Sequence, residues 1–281
     1  MLHTTDSLRT PDGLTLFTRT WAPELGTVRA DVLLVHGIGE HSGRYAHIAA
    51  HLMMQGIRVF AYDQRGHGES EGERAYIERF DLLVADLHHV RALVEVQRTE
   101  PTGPATPLFL MGHSLGGLVA ARYVSANSSE GLAGVILSSP ALRTDVAPLL
   151  QKVSGAVARF APRLPTVKLD LKALSRDPRV IRNYEEDPLV TSGRGVRART
   201  GYETIEAMKQ VRPAAFDVPT YVFHGTADRI TSPEGSRAFV DALPATDTTL
   251  KLYDGLYHET MNEPEKAQVL GDLSDWILTH T

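Results

Sequence analysis

The stretch Leu108-Phe109-Leu110-Met111-Gly112-His113-Ser114-Leu115-Gly116-Gly117 holds the residues best suited to covalent chemistry. An apolar run ends in Gly112-His113-Ser114-Leu115-Gly116, and a helical pattern follows from Leu118. This is a G-x-S-x-G turn between a strand and a helix, the setting that exposes a serine as a nucleophile. A serine hydroxyl is a weak nucleophile, so it needs freedom from neighbouring side chains and a base within reach. Glycines at 112 and 116 remove the Cβ atoms that would crowd so sharp a bend. The helix N-terminus behind Ser114 offers free N–H groups to an oxyanion. A glycine-rich turn with a solvated serine would look similar in isolation, so the rest of the chain must supply a base and an acid.

It does so in the order Ser, acid, His that accompanies this turn in α/β-hydrolases. Ser114, Asp228 and His258 each follow an apolar run, and ligands bind at the carboxyl ends of parallel strands. Asp217 precedes its strand, and Asp254 leads directly into the His258 loop, so Asp228 is the predicted acid. Among the 12 histidines, His88 and His89 fall inside a helical pattern. His36 and His113 suit loop hydrogen bonding, and His41 and His67 come from neighbouring strand-end loops that line the expected pocket. His258-Glu259 does not begin an H-E-x-x-H motif, because position 262 is Asn, which excludes a zinc protease. Two backbone N–H groups are needed for the oxyanion, each typically worth about 2.7–4 kcal/mol. Leu115 supplies one. Ile38, in the loop after Val35 where Gly37 permits a tight turn, supplies the other.

The elements that must position these residues alternate. Leu14–Trp21 reads as a strand, paired in a hairpin with the segment before Pro11-Asp12-Gly13. Val32–Val35, Ile57–Tyr62, Leu108–Met111 and Val135–Leu137 read as buried strands, and Phe80–Val96 as a helix. Gly37-x-Gly39-x-x-Ser42, with Asp63 ending the next strand, imitates a dinucleotide-binding turn. The third small position is displaced, and the glycine-dense loop Gln64–Ser70 is more than a ribose site needs, so that reading is rejected. Strands then give way to Pro-broken, charged sequence from Ala141 to Arg212, with no strand-like run. The predicted architecture is therefore an α/β-hydrolase fold: a mostly parallel sheet flanked by helices, with a core over 1–140 and 213–281 and a helical cap inserted over 141–212. Within the cap, Val146, Leu149, Leu150, Val153, Val157 and Phe160 share one helical face near Lys152 and Arg159. That face either covers the core or touches a lipid surface transiently. After the cap, Thr220–Phe223 and Thr249–Tyr253 read as strands. Ser232-Pro233-Glu234 reads as a capped helix start, and Asn262-x-x-Glu265 as the cap of a last helix.

The 281 residues, 42% hydrophobic with a net charge of −5, suit one large domain and leave no basic nucleic-acid footprint. Without cysteine there is no disulfide, thiolate nucleophile or cysteine metal site. Neither a secretory signal nor an apolar run of about 18 residues is visible, so a cytoplasmic protein, at most peripheral at membranes, is expected. Serine acyl transfer needs no metal or cofactor.

Several longer stretches resemble the monoacylglycerol lipase family of α/β-hydrolases and its bacterial lysophospholipase-like members. They are His36–Tyr45 (HGIGEHSGRY), Asp63–Gly68, Gly112–Gly117, His224–Asp228 and Tyr257–Glu259. Ser175-Arg176-Asp177-Pro178, Asn183-Tyr184 and Asp187-Pro188 are similar too. The resemblance runs nearly end to end. It implies hydrolysis of a monoacylglycerol to fatty acid and glycerol, under a cap holding an acyl tunnel and a small polar end. It carries Ile38 and Leu115 over as oxyanion donors, and Arg44 and Tyr184 as candidate contacts near the glycerol end; His113, beside Ser114, is a further candidate substrate contact. Leu115 stands where the family often has methionine. Near Arg179-Val180 the family often has a glutamate toward the glycerol, and here the nearest acids are Asp177, Glu185 and Glu186. A general carboxylesterase or lysophospholipase would use the same triad. A non-catalytic binding protein on this fold would need a broken one.

Overall fold

The apolar runs of the sequence become the inner strands of one sheet. The computed structural model describes residues 2–24, 26–98, 105–144, 146–191, 195–244 and 247–281, with backbone alone at 148, 149 and 152. The first half holds β1 (Leu2–Arg9), β2 (Thr15–Ala22), β3 (Ala30–Val35), α1 (Ala46–Met54), β4 (Ile57–Tyr62), α2 (Phe80–Arg98), β5 (Leu108–His113), α3 (Leu115–Asn127) and β6 (Gly134–Ser138). An inserted stretch follows with α4 (Pro148–Phe160), β7 (Pro165–Val167), α5 (Pro178–Glu186), β8 (Val196–Arg197) and α6 (Ala198–Lys209). The chain then returns through β9 (Thr220–Gly225), α7 (Pro233–Asp241), β10 (Thr248–Tyr253) and α8 (Lys266–Thr279).

Eight strands form the main sheet in the order β1-β2-β4-β3-β5-β6-β9-β10. The six strands from β4 to β10 run parallel. The β1–β2 hairpin adds antiparallel to β4. The inner parallel strands are covered on both faces, which is why their sequences are mainly apolar rather than alternating. Side chains still alternate in direction. Leu33 and Val35 of β3, with Leu108 and Leu110 of β5, join the core under α2 and α3. Val32, Leu34, Phe109 and Met111 join the opposite core under α1 and α8. The helices answer with matching stripes. Phe80, Leu83, Leu87, Val90 and Val94 of α2 are buried, each worth roughly 1.5–3 kcal/mol. Gly37-x-Gly39-x-x-Ser42 is closed by the protein itself. Asp63 Oδ1 accepts from the Ser42 amide at 2.8 Å and from Ser42 Oγ at 2.6 Å, and Oδ2 accepts from the Glu69 amide at 2.9 Å.

Some expectations are corrected. The 141–212 stretch does contain strands: β7 and β8 pair antiparallel in a two-stranded sheet apart from the main one. At three and two residues they are too short for a period-2 signal. Ser232 sits at the N-cap of α7 without a side-chain capping bond. Asn262 does not cap α8, which starts after Glu265. Its Nδ2 donates instead to Glu259 Oε2 at 2.7 Å. Most of the apolar face of α4 does not cover the core. Leu150, Val153 and Phe160 are 61%, 52% and 82% exposed. The helix packs on α6 through another side, where a Cβ added to Gly155 would come 3.2 Å from the Tyr202 ring. The expected contributions of the Leu149 and Lys152 side chains lie outside the described residues. No helix among the described residues is long and apolar enough to cross a membrane.

Candidate active site

Four strand ends converge on one cleft. β5 ends at His113 and α3 begins at Leu115, with Ser114 between them at φ 54°, ψ −117°. This left-handed backbone is strained for a non-glycine residue and is held by its surroundings. The Ser114 amide donates to Ser138 O at 2.9 Å, and the Ala141 amide donates to Ser114 O at 3.0 Å. A Cβ on Gly112 would lie 2.3 Å from Gly116 O, and one on Gly116 would lie 2.2 Å from Val35 O. Both glycines are therefore required by close backbone approach.

Asp228 follows β9 and His258 follows β10. His258 Nδ1 donates to Asp228 Oδ2 at 2.7 Å. Oδ1 of the same carboxylate accepts from the amides of Ile230 at 2.7 Å and Thr231 at 3.1 Å. His258 is almost fully buried. Burial acts to lower its pKa, but the charge and hydrogen bond of Asp228 outweigh this and hold it above the ordinary imidazole value. Burial acts to raise Asp228, but His258 and His224 hold its carboxyl far below the usual range. The competing acids are elsewhere. Asp254 accepts from Thr226 at an exposed turn, and Asp217 bonds Ser129.

Ser114, His258, Ile38, His113 and Tyr184 line one cleft of about 300 Å³. Gly37 brings the loop after β3 close: a Cβ there would lie 3.3 Å from that of Ser114. Among the described residues, no protein acceptor takes the N–H of Ile38 or Leu115. His113 bonds Ser138 Oγ at 3.1 Å, and its ring centroid is 4.9 Å from that of His258. Burial, aided by His258, pushes its pKa down to about 4. His36 is a loop brace: Nδ1 donates to Gly37 O at 2.7 Å and Nε2 accepts from the Gln64 amide at 2.9 Å. His41 and His67 are absent from the cleft lining. His41 instead bonds Asp187 at 2.9 Å. Arg44 also stands behind the cleft wall, its guanidinium 4.7 Å from the centre of the Tyr184 ring. Glu185 and Glu186 are exposed, and Asp177 caps α5. The acids that do face the cleft are Glu40 and Glu259.

Sequence reasoning missed three groups around Asp228 and His258. His224 Nε2 donates to Asp228 Oδ2 at 2.9 Å, while its Nδ1 accepts from Ser236 Oγ at 2.8 Å. Thr231 Oγ1 lies 2.8 Å from Asp228 Oδ2. Ser139 Oγ donates to His258 O at 2.8 Å. Only the position of His224, next to last in β9 and four residues before Asp228, hinted at such a role. A larger space of about 590 Å³ adjoins the cleft, lined mostly by apolar residues such as Ile38, Leu169, Leu171 and Val196, with Lys168, Tyr184 and Thr191. Among the described residues no group of three or more His, Asp or Glu side chains is arranged to hold a metal ion.

Residues 26–265 match the family described as "Serine aminopeptidase, S33". A monoacylglycerol lipase of Mycolicibacterium smegmatis is 37% identical over 273 residues, covering 95% of this chain and 94% of the relative. A Paleococcus ferrophilus monoacylglycerol lipase superposes with a TM-score of 0.81 at 31% identity, covering 95% of this chain and 99% of that one. A soluble variant of Saccharomyces cerevisiae monoglyceride lipase, solved with a substrate analogue, gives 0.86 at 27% identity over 100% and 96% of the two chains. The chain thus belongs to the serine aminopeptidase S33 family of α/β-hydrolases, within its monoacylglycerol lipase group, and is an ester hydrolase.

Proposed function

We propose that this hydrolase cleaves monoacylglycerols to fatty acid and glycerol through an acyl-enzyme on Ser114. The observation that carries the reading is the 2.7 Å bond from His258 to Asp228 inside the cleft that Ser114 also lines. Ser114 Oγ attacks the ester carbonyl carbon while His258 Nε2 takes its proton. Asp228 keeps the imidazole in the Nδ1–H tautomer and stabilises the imidazolium. The N–H groups of Ile38 and Leu115 hold the oxyanion. Collapse of the tetrahedral intermediate breaks the C–O bond, and His258 returns the proton to the departing glycerol. Water, deprotonated by His258, then attacks the acyl-enzyme and frees the acid. The adjoining apolar space suits the acyl chain, and the 141–212 stretch serves as the cap that closes it. The names of the relatives support the substrate.

The test is fatty-acid release from 1-oleoylglycerol, a lysophospholipid, a triacylglycerol and p-nitrophenyl butyrate. Wild type is expected to favour 1-oleoylglycerol, and Ser114→Ala to lose at least about 10³-fold in kcat on every ester. Activity on the short ester alone would keep the serine chemistry and discard the lipid substrate.

A further inference from the structure

The wall of the cleft carries a charge imbalance that the acyl-transfer steps do not use. Glu40 and Glu259 line it together with Ser114 and His258, and no lysine or arginine does so among the described residues. Both carboxylates are held from behind. Glu40 Oε1 accepts from the Gly37 amide at 2.6 Å and from Tyr45 Oη at 2.7 Å. Its Oε2 accepts from Arg44 Nη1 at 2.5 Å. Arg44 also makes a two-pronged bond with Glu259, Nη1 to Oε1 at 2.9 Å and Nη2 to Oε2 at 2.8 Å. Two carboxylates against one guanidinium leave one negative charge in excess.

The excess charge faces a defined route. Beyond the cleft lies a smaller recess of about 230 Å³, and the two spaces share Glu40, His113 and Glu259. The recess shares no lining residue with the space assigned to the acyl chain. An alcohol leaving Ser114 toward it passes both carboxylates. Arg44 reaches the recess with both terminal nitrogens bound to Glu40 and Glu259, so its single charge is already shared between two carboxylates. Lys168 lines the larger space and neither the cleft nor the recess. The buried, low-dielectric wall strengthens any repulsion.

We propose that Glu40 and Glu259 form a charge filter on the alcohol half of the ester, admitting neutral and cationic alcohols and rejecting phosphate-bearing ones. The inference rests on the hydrolase reading above and narrows its substrates to neutral glycerides, away from lysophosphatidate-like esters. A phosphate monoester brings about −1.5 to −2 charges at neutral pH. Brought near a wall of net negative charge, it should lose roughly 30-fold or more in kcat/KM.

The experiment compares three soluble esters below their aggregation concentrations: 1-octanoylglycerol, its 3-phosphate, and octanoylcholine, with Ser114→Ala as the blank. The choline and phosphate groups are similar in bulk and opposite in charge. The choline ester should stay within about tenfold of the glycerol ester, with the phosphate ester at least about 30-fold below it. Glu259→Gln keeps a polar side chain between Arg44 and Asn262 and removes one charge. It should narrow the gap between the glycerol and phosphate esters several-fold, whatever it does to the absolute rate. A phosphate penalty under about tenfold overturns the filter. So does equal rejection of choline and phosphate, which would mean size, or an unchanged ratio in a folded Glu259→Gln. Should Glu259→Gln fail to fold, the wild-type comparison of the three esters decides alone. If wild type releases octanoate from none of them, the hydrolase reading is what fails.

Discussion

Asp228 Oδ2 accepts from His258 at 2.7 Å and from His224 at 2.9 Å, with Thr231 Oγ1 at 2.8 Å. A carboxylate shared among several donors is fixed in orientation but gives less of its basicity to any one of them. Protonated His258 cannot act as a base, so kcat/KM should rise with pH through an apparent pKa above the ordinary 6.5, as the carboxylate beside it requires. Replacing His224 with Leu removes one donor and concentrates the carboxylate on His258. The acidic limb of the profile should then move further up, and kcat should fall about tenfold as the carboxylate loses a fixed edge. His224→Gln, which keeps a donor, should recover most of both. An acidic limb that stays in place in His224→Leu would confine this histidine to folding. Ser114, Asp228 and His258 were legible in the sequence because each follows an apolar run in a known order. His224 was not, since a histidine within a strand looks like any buried histidine until its partner is known. Glu40 and Glu259 were hidden for a similar reason: both bond Arg44, and Glu259 does so across 215 positions of sequence.

At the scale of elements, the alternation of strand and helix was readable because the inner strands are buried along their length and so are mainly apolar. What escaped was set by tertiary context. β7 and β8 exist only because two short segments meet, and the stripe on α4 could not say which way it faces. Its outward direction has a consequence. Val146, Leu150, Val153 and Phe160 are exposed together with Leu164 and Val167 just beyond the helix. Arg159 and Arg163 border them, with Arg163 paired to Glu73. An apolar ridge edged by cations suits the boundary of a lipid surface. Chain and vesicles should co-sediment at low salt. Leu150→Ser with Phe160→Ser should weaken that binding more than about tenfold, since each apolar side chain contributes roughly 1.5–3 kcal/mol when buried. Turnover of 1-oleoylglycerol should fall with it, while p-nitrophenyl butyrate turnover should stay near wild type. Equal co-sedimentation of both proteins would remove the lipid-contact role of α4.

For the molecule as a whole, the decisive contacts join segments from opposite ends of the chain. The loop after β3 and the loop after β10 meet at Arg44, whose side chain is 12% exposed between two carboxylates that are each 5% exposed. The inserted stretch is tied to the same place. The Glu259 amide donates to Leu174 O at 2.8 Å, and Arg176 Nε donates to Glu263 Oε2 at 2.6 Å. A buried ion pair adds little net stability, but removing one partner leaves uncompensated charge. Arg44→Met should therefore cost about 3–5 kcal/mol at pH 7, or roughly 10 °C in Tm for a domain of this size. The pH dependence tests the cause. With Arg44 present, Glu40 is held down to about 2, because Arg44 and nearby histidines outweigh burial, which alone would raise it. Without Arg44, burial and mutual repulsion should raise the carboxyl pKa values above those of the unfolded chain. Groups so raised are unpenalised below their unfolded pKa near 4.3 and destabilise as pH climbs through the folded value. The Tm gap between Arg44→Met and wild type should accordingly be widest at pH 7 to 8 and close toward pH 4.5. A gap that stays constant over that range would mean that Arg44 acts by packing on Tyr184, and that the two carboxylates are held apart by other means.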